Sequence, residues 1–325
     1  MKKIIKRVLA AIGALLLLAI LGMVVKFYLL SPKSRPAQAL TAPTTPEAIA
    51  RGKYLVNNVV ACIGCHSPID ESKPGDPPVE GKVASGRDFG DWGPDVPFHL
   101  RAPNLTPDKE TGIGTWTDGE IVRAMREGIG KNGRPLFAQM PFQTYARTVS
   151  DDDALAIVAY LRTLPAVKND PGTTTVKFPV SMFMRAAPQP LEKSPPPPPP
   201  TSDKLARGKW LLDACSCHDC HDSFDSHHQP IPGKSLAGNF KIPVPGKGFV
   251  VAPNITSDKA TGIGAYSDDD LRRVFDEGKG KTGRYLYVMP WSYYSGMTKE
   301  DKEALIAALR EVPPVSNIVP PSEIK

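Results

Sequence analysis

Two pentads of cysteine and histidine are the stretches of this 325-residue chain with the clearest chemistry. Residues 62–66 read Cys-Ile-Gly-Cys-His, and residues 217–221 read Cys-His-Asp-Cys-His. Two thiols at this spacing can each add to one vinyl group of the same porphyrin, and the histidine that follows gives the iron a proximal nitrogen. The spacing therefore predicts two covalently attached haem c groups. The attachment residues are Cys62, Cys65, Cys217 and Cys220, and the proximal iron ligands are His66 and His221.

A lone Cys-x-x-Cys pair is also typical of a thioredoxin-like redox site or of a zinc site. Two pentads with the histidine in the same place, each followed by similar sequence, favour haem over both. A zinc site would need more Cys or His at ligand spacing in each half of the chain. The fifth cysteine, Cys215, is expected to be a packed or free thiol, because the other four are assigned to haem.

The distal side of each iron needs a second ligand, and a methionine stands at the same point of both halves. Met140 and Met289 each follow a Gly-Arg pair and precede a proline and an aromatic residue. Most methionines fill gaps in cores, but this repetition favours ligation. We predict Met140 and Met289 as distal ligands of six-coordinate irons with fairly high potentials. The competing candidates are His99, His227, His228 and Met297.

The residues around each haem are predicted from the same repeat. A proximal histidine usually donates its second ring N–H to a backbone carbonyl, and the carbonyls of Pro103 and Pro253 are the candidates. Haem propionates need hydrogen-bond donors near the ring. Candidate donors are Arg134, Arg284, Trp116 and Tyr266.

The elements that position these residues are predicted as a duplicated three-helix unit. Helix starts are indicated by a capping box at Thr117 and by its acidic variant at Ser267. The same two helices are expected to end at Gly128 and Gly278, where a C-terminal glycine is favoured. The repeated blocks are Arg-Gly-Lys-aromatic-Leu at 51–55 and 207–211, Ala-Pro-Asn at 102–104 and 252–254, and Thr-Gly-Ile-Gly at 111–114 and 261–264.

The N-terminus is the basic part of the chain. The formal net charge is +6, and residues 1–45 carry seven Lys or Arg and no acid. Four of these basic residues precede an uncharged, apolar run of 18 residues at 8–25, which predicts a transmembrane anchor with its N-terminus inside. A cleaved signal peptide is the alternative, with a small-x-small motif at 37–39. Either one exports the rest of the chain, and the folded parts carry no nucleic-acid footprint.

The composition also divides the chain into segments, because a run of six prolines at 195–200 separates the two repeats and should be extended and stiff. The predicted segments are a membrane anchor or signal peptide at 1–30, a Pro-rich tether at 31–46, a first haem domain at 47–170, a linker at 171–202, a second haem domain at 203–316 and a tail at 317–325.

The pentads, the Met-Pro blocks and the repeated Ala-Pro-Asn and Thr-Gly-Ile-Gly blocks resemble the class I cytochrome c family in a tandem dihaem form. The chain is similar, over residues 47–168 and 204–316, to the cytochrome c subunits of membrane-bound alcohol, gluconate and related dehydrogenases. Those subunits typically carry three pentads, and this chain has two. The resemblance implies an all-α fold, with two tandem cytochrome c domains wrapped round covalent haem after an N-terminal transmembrane helix.

The function that the resemblance implies is electron transfer rather than enzymatic catalysis. We expect a membrane-anchored dihaem cytochrome that carries electrons between a periplasmic or membrane dehydrogenase and the respiratory chain. Its expected partners are a dehydrogenase subunit and a terminal oxidase or quinol-oxidising complex. The haem domains should lie in the periplasm of a bacterium, anchored in the inner membrane by a single helix or soluble after signal cleavage. The alternatives are a dihaem peroxidase or thiosulfate dehydrogenase, with Cys215 as the spare thiol, and a haem sensor.

Overall fold

The computed structural model is mostly helical and includes an apolar helix at the N-terminus. The predicted helical class is confirmed in part, because short strands of two to four residues accompany the helices. Two of the competing histidines, His227 and His228, lie outside the described part of the chain. The structure describes residues 1–94, 96–226, 229–244 and 246–324.

The N-terminal helix α1, Lys2–Val24, continues as a π-helical turn at Val25–Leu29. Its most apolar 18-residue window has a mean hydropathy of 2.9, and none of that window is buried in the structure. The helix is therefore long and apolar enough to cross a membrane. A signal sequence has the same properties, so the helix fits either an anchor or a signal sequence.

The first half begins with a helix whose start the sequence indicates. Thr45 caps α2, Pro46–Tyr54, and a π-helical turn at Leu55–Val59 carries the chain towards the pentad. The capping box predicted at Thr117 is present, and Gly128 ends that helix in the left-handed conformation. The remaining helices of this half are α3 (Cys62–His66), α4 (Asp118–Glu127), α5 (Phe142–Thr148) and α6 (Asp151–Thr163).

Short antiparallel strands bind the connecting loops of the first half together. Strand β1 pairs with β3, and β2 pairs with β4. Strand β4 and the short helix α7 follow α6 in the chain. Because β4 pairs with β2, this segment lies on the surface of the first half. The elements are β1 (Arg87–Asp88), β2 (Phe98–His99), β3 (Arg101–Ala102), β4 (Thr175–Val176) and α7 (Val180–Met184).

The second half repeats the helix order of the first. The predicted cap at Ser267 forms a capping box with Asp270, and Gly278 ends that helix in the left-handed conformation. Strands β5, β6 and β7 form one antiparallel sheet. The helices are α8 (Lys204–Ala214), α9 (Cys217–His221), α10 (Asp268–Glu277), α11 (Trp291–Tyr294) and α12 (Lys299–Arg310), and the strands are β5 (Lys241–Val244), β6 (Gly248–Val251) and β7 (Glu323–Ile324).

The first and last helices of each half cross in close contact, α2 against α6 and α8 against α12. A Cβ atom on Gly52 would lie 1.8 Å from the Ala156 carbonyl oxygen, and one on Gly208 would lie 1.9 Å from that of Ala304. Only glycine leaves room for backbones this close. The glycine of the repeated Arg-Gly-Lys block therefore sets the spacing of both helix pairs.

The two halves meet through a reciprocal pair of contacts. The Tyr54 hydroxyl of α2 donates a hydrogen bond to Asp301 at the start of α12, at 2.6 Å. Trp210, which occupies the equivalent position in α8, donates its indole N–H to the Thr148 carbonyl at the end of α5, at 2.9 Å. Buried residues of both halves belong to one hydrophobic cluster. Equivalent aromatic residues thus dock each half onto the other.

Candidate haem-binding sites

Each pentad forms one short helix that the chain enters through a left-handed residue. Ala61 precedes the first pentad with φ of 50°, and Ser216 precedes the second with φ of 55°. This conformation costs a residue with a Cβ about 1–2 kcal/mol. Its occurrence at the same place in both halves indicates that the sharp turn into the pentad is a property of the site.

The histidines that end the two pentads have equivalent backbone partners. The Nδ1 atom of His66 lies 2.7 Å from the Pro103 carbonyl oxygen, and that of His221 lies 2.8 Å from the Pro253 carbonyl oxygen. A carbonyl only accepts hydrogen bonds, so Nδ1 carries the hydrogen and Nε2 keeps its lone pair for a metal. Burial lowers the pKa of both imidazoles, which favours this neutral form. The predicted hydrogen bonds to both proline carbonyls are confirmed.

The loop that carries each proline is fixed by a buried asparagine, which the sequence interpretation missed. Asn104 donates to the Val167 carbonyl at 2.7 Å and accepts from the Thr106 backbone N–H at 2.9 Å. Asn254 makes the same 2.7 Å bond to the Val315 carbonyl in the second half. The asparagine thus ties the proline loop to the segment after the last helix. The sequence signal for this asparagine is its place in the repeated Ala-Pro-Asn block at 102–104 and 252–254.

The surroundings of two pentad thiols favour the neutral form. Burial raises the pKa of the Cys62 and Cys217 thiols to about 12. Within the described ranges, no group of three or more His, Cys, Asp or Glu side chains is placed to hold a metal ion. Thioether bonds to a porphyrin require neither a thiolate at rest nor further ligands of these types.

The two methionine loops have matching hydrogen bonds. The Leu136 N–H donates to the Gly128 carbonyl at 2.7 Å, and the Leu286 N–H donates to the Gly278 carbonyl at 2.8 Å. Each bond closes its loop just before the methionine. Both methionine side chains are half-buried. Met140 and Met289 pack against the same buried cluster as Cys62 and Cys217.

The competing ligand candidates lie in other surroundings. Met297 is buried in the hydrophobic cluster, with 5% of its surface exposed. His99 lies in β2, where its imidazole contacts Asp88 at 2.5 Å and the Arg101 guanidinium at 3.2 Å. Met297 is thus placed as a core residue and His99 as a member of a surface charge network.

Of the candidate propionate donors, Trp116 and Tyr266 occupy equivalent turns, and an arginine of the last helix holds each turn. Arg162 donates to the Trp116 carbonyl at 2.5 Å, and Arg310 donates to the Tyr266 carbonyl at 2.6 Å. The sequence interpretation missed these arginines. Arg162 and Arg310 occupy the same place in the repeat, but an arginine near a helix end is ordinarily solvated.

An open cavity lies between the proline loop of the second half and the C-terminal tail. Its volume is about 550 Å³, and it is lined by Pro253, Asn254, Arg284 and residues 318–322, among others, but by none of the residues of the second pentad. The arginine therefore faces a space beside the proline that positions His221. Both Arg284 and Arg134, its counterpart in the first half, are exposed.

Cys215 occupies a core position. The Tyr294 hydroxyl donates to the Cys215 carbonyl at 2.9 Å, and the Tyr145 hydroxyl contacts the Val60 carbonyl in the same way at 3.5 Å. Cys215 thus stands where the first half has a valine. Its side chain is buried, and burial raises the pKa of the thiol well above its usual value. These surroundings disfavour a thiolate ligand and match the packed thiol expected from the sequence.

Comparison with known proteins supports the resemblance seen in the motifs. Residues 49–165 match the family model for cytochrome c. The chain is 29% identical to the gluconate 2-dehydrogenase cytochrome c subunit of Pantoea cypripedii over 71% of this chain and 51% of the relative. It is 28% identical to the fructose dehydrogenase cytochrome subunit of Gluconobacter japonicus over 86% of this chain and 56% of the relative.

A relative of more similar length carries a dihaem description. The chain is 26% identical to a diheme cytochrome c-type protein of Cereibacter sphaeroides over 78% of this chain and 82% of the relative. In contrast, it spans only about half the length of the dehydrogenase subunits.

Proposed function

We propose that this chain, which carries a cytochrome c family domain at residues 49–165, is a dihaem c-type cytochrome that passes electrons between a dehydrogenase and the respiratory chain. The observation that carries the proposal is that one constellation is built twice. Each copy has a pentad behind a left-handed residue, a histidine held by a proline carbonyl and a half-buried methionine in a closed loop.

The proposed domain organisation follows the repeat. Residues 47–170 and 203–316 form tandem cytochrome c domains, joined by the linker at 171–202, which contains the proline run. The matching helix order of the halves supports this division. The description of a dihaem relative supports two haems in one chain.

The residues have distinct proposed roles. The four pentad cysteines form the covalent bonds to haem, and His66 and His221 supply the proximal nitrogens from Nε2. Met140 and Met289 are the residues that would supply a sulfur ligand to each iron. When bound, each haem supplies one-electron iron chemistry. The chain's own contribution is to fix each imidazole through its Nδ1–H. With a histidine and a methionine as ligands, each iron would have no coordination site left for a substrate. This arrangement suits an electron carrier.

The proposed partners come from the names of the relatives and from the N-terminal helix. Relatives are cytochrome subunits of gluconate, fructose and alcohol dehydrogenases. A dehydrogenase subunit is therefore the proposed electron donor, and a terminal oxidase or quinol-oxidising complex is the proposed acceptor. Helix α1 is proposed to anchor the chain in a bacterial inner membrane, with the haem domains in the periplasm, because c-type haem is attached outside the cytoplasm.

The experiment that tests this proposal counts haems and electrons in the full chain, expressed in a bacterium that attaches haem c. Intact mass under denaturing conditions should show two haem additions. The double variants Cys62→Ala/Cys65→Ala and Cys217→Ala/Cys220→Ala should each lose one, while the control Cys215→Ala should keep both.

Redox titration of the wild-type chain should then show two reversible one-electron steps. Activity assays with peroxide and with thiosulfate should show no turnover. A single haem would contradict the dihaem assignment. Turnover of either substrate would contradict the carrier assignment.

A further inference from the structure

Two aromatic residues are largely exposed in a segment that reaches the end of the N-terminal helix. Phe178 has 73% of its surface exposed and Phe183 has 53%, although both belong to a segment that packs on the first half. We call residues 177–185 the foot. Large apolar side chains exposed together usually mark a binding surface.

The foot is joined to the end of the N-terminal helix by rings and hydrogen bonds. The rings of Phe27 and Phe183 meet edge to face, with centroids 5.2 Å apart. Arg185 donates to the Phe27 carbonyl at 2.8 Å and to the Ser31 carbonyl at 3.1 Å, and its guanidinium lies 5.5 Å from the Tyr28 ring centroid. The foot and the helix end therefore share one level along the helix axis.

The length of the apolar run gives that level. Residues 8–25 form an uncharged run of 18 residues. At 1.5 Å per residue this run is about 27 Å long, close to the roughly 30 Å hydrocarbon core of a bilayer. If the run crosses a membrane, Lys26 and the π-helical turn Val25–Leu29 lie at the headgroups. Phe183, in contact with Phe27, lies there too.

The charges around the foot suit a lipid surface. Lys26, Lys33, Lys177 and Arg185 lie in or beside the foot and the helix end, and residues 25–35 and 171–191 contain no Asp or Glu. Aromatic and basic side chains together are typical of segments that lie in the headgroup region. Basic groups at this depth are attracted to anionic headgroups.

The foot is also fixed to the first half. Strand β4, just before it, pairs with β2 through Phe98 and Val176. Just after it, the Ala187 carbonyl accepts a hydrogen bond from the Gln143 side chain in α5 at 3.3 Å. A surface that holds the foot would therefore also orient the first pentad.

We propose that the foot lies on the outer leaflet of the membrane, with Phe178 and Phe183 inserted at the boundary between headgroups and acyl chains. This inference rests on the proposed anchoring by α1 and adds a second attachment to it. Two attachments hold the first half at one orientation to the bilayer. The segment between α1 and α2 supports this orientation, because Arg35 donates to Glu127 at 2.6 Å and the Ala42 N–H donates to Asp118 at 2.8 Å, which fixes the segment to α4. The orientation fixes which surface of the first half can meet a membrane-bound redox partner.

The test is photo-crosslinking of the full haem-loaded chain in nanodiscs made of equal parts phosphatidylethanolamine and phosphatidylglycerol. The crosslinking residue p-benzoylphenylalanine replaces Phe178, Phe183, Leu21 or Tyr287, one position at a time. Leu21 lies inside the apolar run, and Tyr287 is an aromatic of the second half with 47% of its surface exposed. Haem content checks that each variant is folded, and mass spectrometry identifies the adducts.

Lipid adducts at Phe178, Phe183 and Leu21, with none at Tyr287, are the expected result. Adducts at Leu21 without adducts at Phe178 or Phe183 would refute the membrane contact of the foot and would leave the proposed anchoring by α1 intact. Loss of adducts at Leu21 would refute the anchor and the foot with it. The Phe183 variant is also crosslinked in native membranes. Protein adducts there, in place of lipid adducts, would assign this surface to a partner subunit and overturn the inference.

Discussion

The contact between the two halves makes a quantitative prediction at Tyr54. Its hydroxyl donates to the Asp301 carboxylate at 2.6 Å and accepts from the Thr298 backbone N–H at 3.3 Å. Asp301 is 1% exposed, so water cannot replace the lost donor. A hydrogen bond to a charged group contributes about 1.5–3 kcal/mol, and the longer bond from Thr298 adds little. The substitution Tyr54→Phe should therefore reduce the free energy of unfolding by about 2 kcal/mol.

The loss should depend on pH. Burial alone would raise the pKa of the Asp301 carboxyl, but hydrogen bonds from Arg207 and Tyr54, with the Arg207 charge, outweigh it and lower this pKa below its usual 3.8. A carboxylate with a depressed folded pKa stabilises the fold above its unfolded pKa, and this stabilisation disappears as pH falls through the folded pKa. The difference between wild type and Tyr54→Phe should thus be full at pH 7 and should shrink below about pH 4.

The assay is urea-induced unfolding of the full haem-loaded chain, followed by circular dichroism and haem absorbance at pH 7 and pH 3.5. The matched control is Tyr160→Phe, which removes a hydroxyl of the first half that receives only a 3.4 Å bond from Asn57. The control should cost less than about 0.5 kcal/mol. The reasoning is refuted if the two variants have equal stability at pH 7, or if the Tyr54→Phe deficit grows as pH falls.

Three further substitutions test the packing, the loops and the axial ligands. Gly208→Ala should reduce the free energy of unfolding by about 3 kcal/mol, measured by thermal unfolding, because its Cβ would lie 1.9 Å from the Ala304 carbonyl oxygen. The control Gly130→Ala, whose Cβ would have no neighbour nearer than 3.6 Å, should unfold like wild type. Asn254→Ala should lower the urea midpoint by leaving buried backbone groups unpaired, at a cost of about 2–3 kcal/mol, and a wild-type midpoint would contradict the loop tie. Met289→His should lower the potential of one haem in a redox titration and leave the other unchanged, because thioether ligation raises the potential, and two unshifted haems would exclude Met289 as a ligand.

Local signals in the sequence identified the helix ends. The Thr117 capping box and the left-handed Gly128 are both present. They could be predicted because each depends only on the types of residues within one turn of the helix end. The short helix α5 after the Met-Pro block was not predicted, since a proline at its cap and seven residues give little periodic signal. The β2–β4 pair was missed because its partners are more than 70 residues apart, and pairing at that distance is set by the fold.

The sequence predictions at the site rest on residue types and their repetition, and contacts that depend on packing were missed. Pentads and proline carbonyls were readable from spacing and repetition. The hydrogen bonds of Asn104 and the close approach at Gly52 required the three-dimensional structure, because each joins segments far apart in the chain. The docking of Tyr54 on Asp301 was equally invisible, since the repeat places a tryptophan at the matching position with a different partner.

The proposed function requires that Met140 and Met289 close the distal faces of the two haems, so that no substrate binds at iron. Carbon monoxide binding to the dithionite-reduced chain, followed in the visible spectrum, tests this most directly. The account predicts no spectral shift in the wild type and a shift in about half of the haem in Met140→Ala and in Met289→Ala. A shift in the wild-type spectrum would show an open iron and would contradict the account.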